Sequence, residues 1–302
     1  MTGPEMREPD YEAPIGGVDH LPRSIEPPRD LWPGVSRRLP GWRRRLLLVA
    51  GPLAAAAILV LTLIPRAPLV PTTVVAGTPR ITRSRVVTDE SSRARLSLSI
   101  GDVTVEPGSD LRVVAIGPDQ QRFALRRGTI TARVLAPPRV FVVETPATVA
   151  TDLGCAYVLQ VDSLGNGLLR VTAGQVELAT GGRLAIVPAG AVASIRAGFG
   201  PGSARRTDAP SALARALDAL DFGRGGVAAV DTALSAARTD DALSLWHLLS
   251  RVSADLRGRV YDGLARLVPP PEGVTRDGVI AQNREMLDLW WNYLPGTGYR
   301  KP

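Results

Sequence analysis

The chain has 302 residues, 45% of them apolar, with 30 glycines and 26 prolines, enough for about two domains of ordinary size. One cysteine excludes an intramolecular disulfide framework and any paired-cysteine redox or zinc site, and two histidines leave little for metal or acyl-transfer chemistry. The net charge of +7 is almost wholly arginine, since Lys301 is the only lysine, and the arginines are scattered without the aromatic-interleaved basic cluster that would suggest nucleic acid as a partner.

Residues 1–45 are rich in proline and arginine and show little apolar periodicity, so they are expected to form a disordered tail. One stretch departs from this, LPRSIEPPRDLWPGVSRRL (21–39). Ile25, Leu31, Trp32, Val35 and Leu39 supply apolar anchors there, and Asp30 is placed to cap a short helix with Pro33 in its first turn. A linear motif that folds on a cytoplasmic partner is one reading. A juxtamembrane linker with Trp32 and Trp42 at the headgroups is the other.

Residues 46–64 read LLLVAGPLAAAAILVLTLI, with no charge and Thr62 as the only polar side chain. Such a run just spans a hydrocarbon core of about 30 Å. Arg37, Arg38, Arg43, Arg44 and Arg45 precede it and Arg66 alone follows closely, which predicts a cytoplasmic N-terminus and an exported remainder. A secretory signal would begin earlier and have a shorter apolar core, and a buried core helix would show an amphipathic stripe. The run is therefore read as a single-pass transmembrane helix in a lipid bilayer, with residues 65–77 as a linker on the exported side.

From 78 to 197 the pattern changes to short runs of period two broken by turn residues such as Pro107-Gly108, Asn166-Gly167 and Gly181-Gly182. This predicts an all-β domain, a sandwich or a solenoid-like stack. Residues 198–210, rich in glycine, proline and arginine, read as a hinge. From 211 to 294 the period is helical, followed by a tail at 295–302. Leu245, Leu248, Leu249, Val252 and Leu256 form one stripe, Val260, Leu264 and Leu267 a second, and Met286, Leu289, Trp290 and Tyr293 a third. Four or five short helices in a small all-α domain are expected.

The chemistry of an enzyme is hard to find. No nucleophile elbow, metalloprotease helix, P-loop or dinucleotide fingerprint occurs, and the G-x-G of LGNGLLR bridges two predicted strands as a hairpin turn. His20 and Cys155 fall on opposite sides of the expected span, so they cannot form a dyad. His247 projects about 200° from the stripe centred on Leu245, at 100° per residue, toward solvent or a domain interface, and a surface histidine is the simpler reading. Asp240 or Asp241 reads as a helix N-cap. No catalytic residue, cofactor or metal site is expected.

Four segments in order, IGDVTVEPGSDL (100–111), FALRRGTITARV (123–134), FVVETPATVATDLGCAYVLQV (141–161) and LLRVTAGQVEL (168–178), resemble the FecR domain, a periplasmic signalling module of bacterial transmembrane regulators. The pattern residues are Gly101, Gly108, Gly128, Phe141, Gly154, Cys155, Tyr157 and Gly174. Where the family usually has Gly-Thr-x-Phe, this chain has Gly154-Cys155-Ala156-Tyr157. Cysteine for threonine keeps the volume and suits a buried strand position, and nothing nearby in sequence supplies an obvious base or cation, so a structural role is expected. Intermolecular pairing in an oxidising periplasm is the alternative.

The stretch 21–39 resembles the juxtamembrane segment of bacterial anti-sigma factors, but the zinc module those proteins commonly carry has no counterpart here, because the tail has no cysteine and only His20. The resemblance implies a non-enzymatic regulator that senses a protein partner through its exported β domain and relays to a cytoplasmic sigma factor or other regulator. A cell-envelope scaffold without a transcriptional role is the competing expectation.

Overall fold

A computed structural model describes residues 71–223 and 225–297, which lie in one compact unit, 66–302. The tail, its motif residues Ile25, Leu31, Trp32, Val35 and Leu39, and the apolar run at 46–64 lie outside the described residues. Among the described residues no helix is long and apolar enough to cross a membrane.

The period-two runs become strands because alternate side chains must reach opposite faces of a pleated sheet. They assemble into two sheets that share one strand. The first runs β1 (Thr72–Ala76), β4 (Arg93–Leu98), β5 (Gly101–Val105), the C-terminal half of β7 (Gln121–Val134), β10 (Ala156–Val161), β11 (Gly167–Ala173) and β14 (Ala191–Arg196). The two-residue strands β15 (Gly200–Pro201) and β16 (Arg205–Arg206) both pair with β14. The second sheet runs β2 (Arg80–Thr82), β3 (Arg85–Val87), β6 (Asp110–Ile116), the N-terminal half of β7, β8 (Phe141–Glu144), β9 (Val149–Asp152), β12 (Gln175–Thr180) and β13 (Arg183–Pro188). Every pairing is antiparallel except β7–β8. Of the two expected architectures this is the sandwich, bent toward a barrel by its common strand. Inward rows of both sheets, such as Leu96, Ile130 and Leu159 in one and Leu111, Phe123 and Leu178 in the other, merge into one core.

The switch between sheets occurs at Gly128. Residues Gln121–Arg127 pair with β6, and Gly128–Val134 pair with β5 and β10. Gly128 has φ +96°, and a Cβ there would sit 2.3 Å from Ser109 Cα. The buried Ser109 hydroxyl fills the gap, donating to Thr129 O at 3.0 Å and accepting from Thr129 N at 2.8 Å. The PGS run and the glycine of FALRRG are thus two halves of one crossing.

Three boundaries differ from the sequence reading. β1 begins inside the stretch read as a linker, because TTVVA is β-branched and pairs with β4 even without alternation. The stretch 198–210 is packed, with Gly200 to Ala204 all buried as β15 crosses under the helices. Among the described residues six α-helices follow: α1 (Ser211–Phe222), α2 (Val227–Ala236), α3 (Ala242–Leu248), α4 (Ala254–Leu267), α5 (Arg276–Ile280) and α6 (Arg284–Trp291).

The stripe from Leu245 to Leu256 is buried but is carried by two helices, since the chain breaks after Leu249 and restarts after Ser253. In the third stripe Trp290 is fully buried and Met286 packs against the core as read, but Leu289 and Tyr293 are exposed and Trp291 and Leu294 reach the core in their place. Two indoles decide that rotation. Trp290 Nε1 donates to Val268 O at 3.3 Å, and Trp291 stacks edge-on to Trp246 at 4.9 Å. Asp241, buried beneath α3, accepts from the backbone N and the guanidinium of Arg238.

Candidate functional site

Each sheet ends in two edges, and the fold treats the pairs differently. The edges formed by β13 and β15 are sealed by side chains from α3 and the turn after it. His247 Nε2 accepts from Ile186 N at 3.2 Å, and Arg251 donates to Leu184 O at 2.8 Å and Pro201 O at 2.9 Å. Ser244 Oγ donates to Ala204 O at 2.8 Å. These side chains stand where a further strand would pair. His247 is therefore buried, at 1% exposure, and the surface reading is corrected. The 100° rule placed it off the α3 stripe, but that direction faces β13.

Beneath this seal lies a buried ionic cluster that the sequence did not reveal. Asp221, on α1, accepts from Ser203 N at 2.6 Å and Ser203 Oγ at 3.1 Å, and faces Arg251 Nε at 3.8 Å. Burial pushes the Asp221 carboxyl up and the Arg251 guanidinium down, and each pulls the other part of the way back. Its members come from three separate parts of the chain, so no local spacing marks them.

The opposite edges, β1 and β2, pair on one side only among the described residues. β2 is short and carries Arg80, a common protection against unwanted pairing. β1 is less defended. Pro71 O already accepts from Ser97 N, so the antiparallel alternation turns the N–H and C=O of Val74 away from β4. Val74 and Val75 are 49% and 48% exposed. An unpaired backbone edge flanked by two exposed valines is suited to accepting an extended segment of another protein.

The FecR-like pattern residues are at turns and in the core. Gly101, Gly108, Gly128, Gly154 and Gly174 all have positive φ, while Phe141 and Tyr157 are buried at 1%. Gly174 meets the Cys155 turn so closely that a Cβ would lie 2.0 Å from Gly154 O. Cys155 is 4% exposed, and its thiol donates to Asp152 Oδ2. A base is therefore present, three residues upstream, where sequence showed none. It does not activate the sulfur. Burial and the adjacent carboxylate both push the thiol far above its ordinary range, opposite to what a nucleophile needs. Asp152 is itself raised by burial, against the pull of the Cys155 thiol and the Gly154 N–H. Tyr157, Leu159 and Val161 line the inner face of β10 as expected, and β10 and β11 form the hairpin across residues 162–166.

Among the described residues no group of three or more His, Cys, Asp or Glu side chains is placed to hold a metal ion. No family profile matches the chain, and no curated protein matches it. Two crystal structures, at 1.65 and 2.50 Å, of a Parabacteroides distasonis protein provisionally assigned as an anti-sigma factor are similar to it at 14% identity and a TM-score of 0.36. Each comparison covers 44% of this chain and 63% of the other, so the chain spans less than two thirds of the length of these neighbours.

Proposed function

We propose that the chain is a non-enzymatic regulator, anchored by the run at 46–64, whose exported FecR-like β unit takes a protein partner and relays its presence to a sigma factor or other regulator through residues 1–45. The observation that carries this reading is the asymmetry of the edges. Helical side chains seal β13 and β15, while β1 keeps an outward backbone and two exposed valines just after the expected anchor. Strand addition at β1 is then a local event on the same side of the β unit as the anchor in sequence. Catalysis by Cys155 is disfavoured by the suppressed acidity of its thiol.

Two measurements test this. A phosphatase active only outside the cytoplasm, fused at Arg80, gives activity, and a fusion at Pro40 is silent. The reverse pattern overturns the topology. Capture on residues 1–45 recovers a sigma factor or another transcriptional regulator. A tail that can be deleted without any transcriptional consequence would leave the envelope scaffold as the better account.

A further inference from the structure

The arginines, scattered in sequence, are gathered by the second sheet. The strands β2, β3, β6 and the N-terminal half of β7 carry a single carboxylate, Asp110, against arginines on every strand. Arg85 stands directly across from Arg112, and Asp110 directly across from Arg127. Like charges in register are destabilising, so the face is not arranged for the fold's own benefit. Asp110 is committed to Arg85 by a two-pronged pair at 2.7 and 2.6 Å, with Arg126 and Arg127 near enough to act on the same carboxyl. Arg80, Arg83, Arg112, Arg126 and Arg127 are exposed and make no ion pair among the described residues. Val114, 41% exposed, lies among them. On the first sheet Arg93 is matched by Glu106 at 2.7 Å and Arg133 stands across from Asp102, with Arg95 and Arg170 also exposed.

We propose that this arginine face binds the anionic headgroup surface of a phospholipid bilayer. Guanidinium groups set around a half-exposed valine suit a plane of phosphates over acyl chains better than they suit a folded acidic protein with one defined shape. The tether supports the choice of partner. From Ile64 to Arg80 there are sixteen residues, which reach about 55 Å at most when fully extended. The face is therefore held within reach of a bilayer if the run at 46–64 spans it, and to that extent the inference rests on the anchor proposed above. Lying on the membrane would also fix the orientation in which β1 meets its partner.

The test uses the full chain. Ser84, in the β2–β3 turn, is replaced (Ser84→Cys) and labelled with a fluorophore that spin-labelled lipid quenches. The buried Cys155 stays unlabelled. The chain is mixed with vesicles of phosphatidylcholine alone or with about one-third phosphatidylglycerol, then floated. Quenching is expected to be several-fold stronger in the anionic vesicles and to weaken as salt rises. In the combined variant Arg112→Ser and Arg126→Ser it should be lost, with binding weakened roughly fivefold per arginine. An unchanged thermal transition shows that these exposed substitutions leave the fold intact. Flotation with both lipids, with quenching indifferent to lipid or to the arginines, overturns the headgroup proposal and keeps the anchor. Flotation with anionic vesicles alone, dependent on the arginines, overturns the anchor and supports the face. Stronger arginine-dependent binding to a short DNA duplex or to polyglutamate than to the vesicles assigns the face to a polymer and overturns the lipid reading.

Discussion

Asp221→Ala removes the acceptor at the centre of the weld between helices and sheet. The substitution strands an arginine side chain that is only 2% exposed and takes a charged acceptor from both the backbone N–H and the hydroxyl of Ser203. Hydrogen bonds to a charged group contribute about 1.5–3 kcal/mol each, and breaking a buried pair on one side costs about 3–5 kcal/mol in all. Arg251 retains two backbone acceptors, Pro201 O and Leu184 O, which places the expected loss near the lower end, about 3–4 kcal/mol. The assay is reversible urea denaturation of the full chain in detergent, followed by tryptophan emission, with the midpoint lowered and the slope unchanged. Adding Arg251→Met removes the stranded charge, so the double variant should fall short of the sum of the single losses by about 1 kcal/mol or more. A loss below about 1 kcal/mol for Asp221→Ala, or strict additivity in the double variant, would refute the view that this pair is a buried and mutually dependent unit.

Other consequences follow from individual sites. Native Cys155 should resist alkylation at pH 8 and react at the ordinary thiol rate only after denaturation, because burial and Asp152 suppress its thiolate; prompt native labelling contradicts this. The Asp110 carboxyl is held below its ordinary value of 3.8, first by the hydrogen bonds from Arg85. Its contribution is therefore present above about pH 4 and fades as pH falls through the lowered value, so Asp110→Asn should flatten the acid limb of stability by no more than about 1 kcal/mol, the pair being half-exposed. Asp152 has the opposite sign, since its raised value makes its contribution greatest below about pH 4 and lost as pH rises through the folded-state value. Gly174→Ala should cost more than about 2 kcal/mol, combining a left-handed φ of +67° with a clash on Gly154 O. Gly182→Ala, at φ +82° with nothing within 4 Å, should cost only about 1 kcal/mol.

Much of the β architecture was legible because alternation and turn residues are local signals. The strands from Ala94 to Arg196 fall where the period-two runs lie, and the hairpin is where it was read, although its turn is 162–166 and Gly167 already pairs with Val161 in β11. What could not be read depends on who stands opposite whom. His247 lies off its own helical stripe, yet β13 covers the direction in which it points. The carboxylate beside Cys155 was three residues away all along, but only the turn at Gly154 brings it back onto the sulfur. Tertiary packing likewise turned the α6 region so that Trp291 joins the expected Trp290 in the core, and Leu289 and Tyr293 do not. The arginine face is the clearest instance. Its members span 48 positions from Arg80 to Arg127 and become neighbours only through the register of four strands.

The most direct test is whether the β1 edge and the N-terminal tail belong to one signalling path. Val74→Pro removes a donor that faces away from β4, a position where an edge strand tolerates proline, so the β unit should stay folded while strand addition is blocked. Transcript profiles are then compared among the parent strain, the Val74→Pro strain and one expressing the chain without residues 1–45. The account predicts that both variants alter the same set of transcripts. Unchanged transcription in both, accompanied by a defect in the cell envelope, would contradict it.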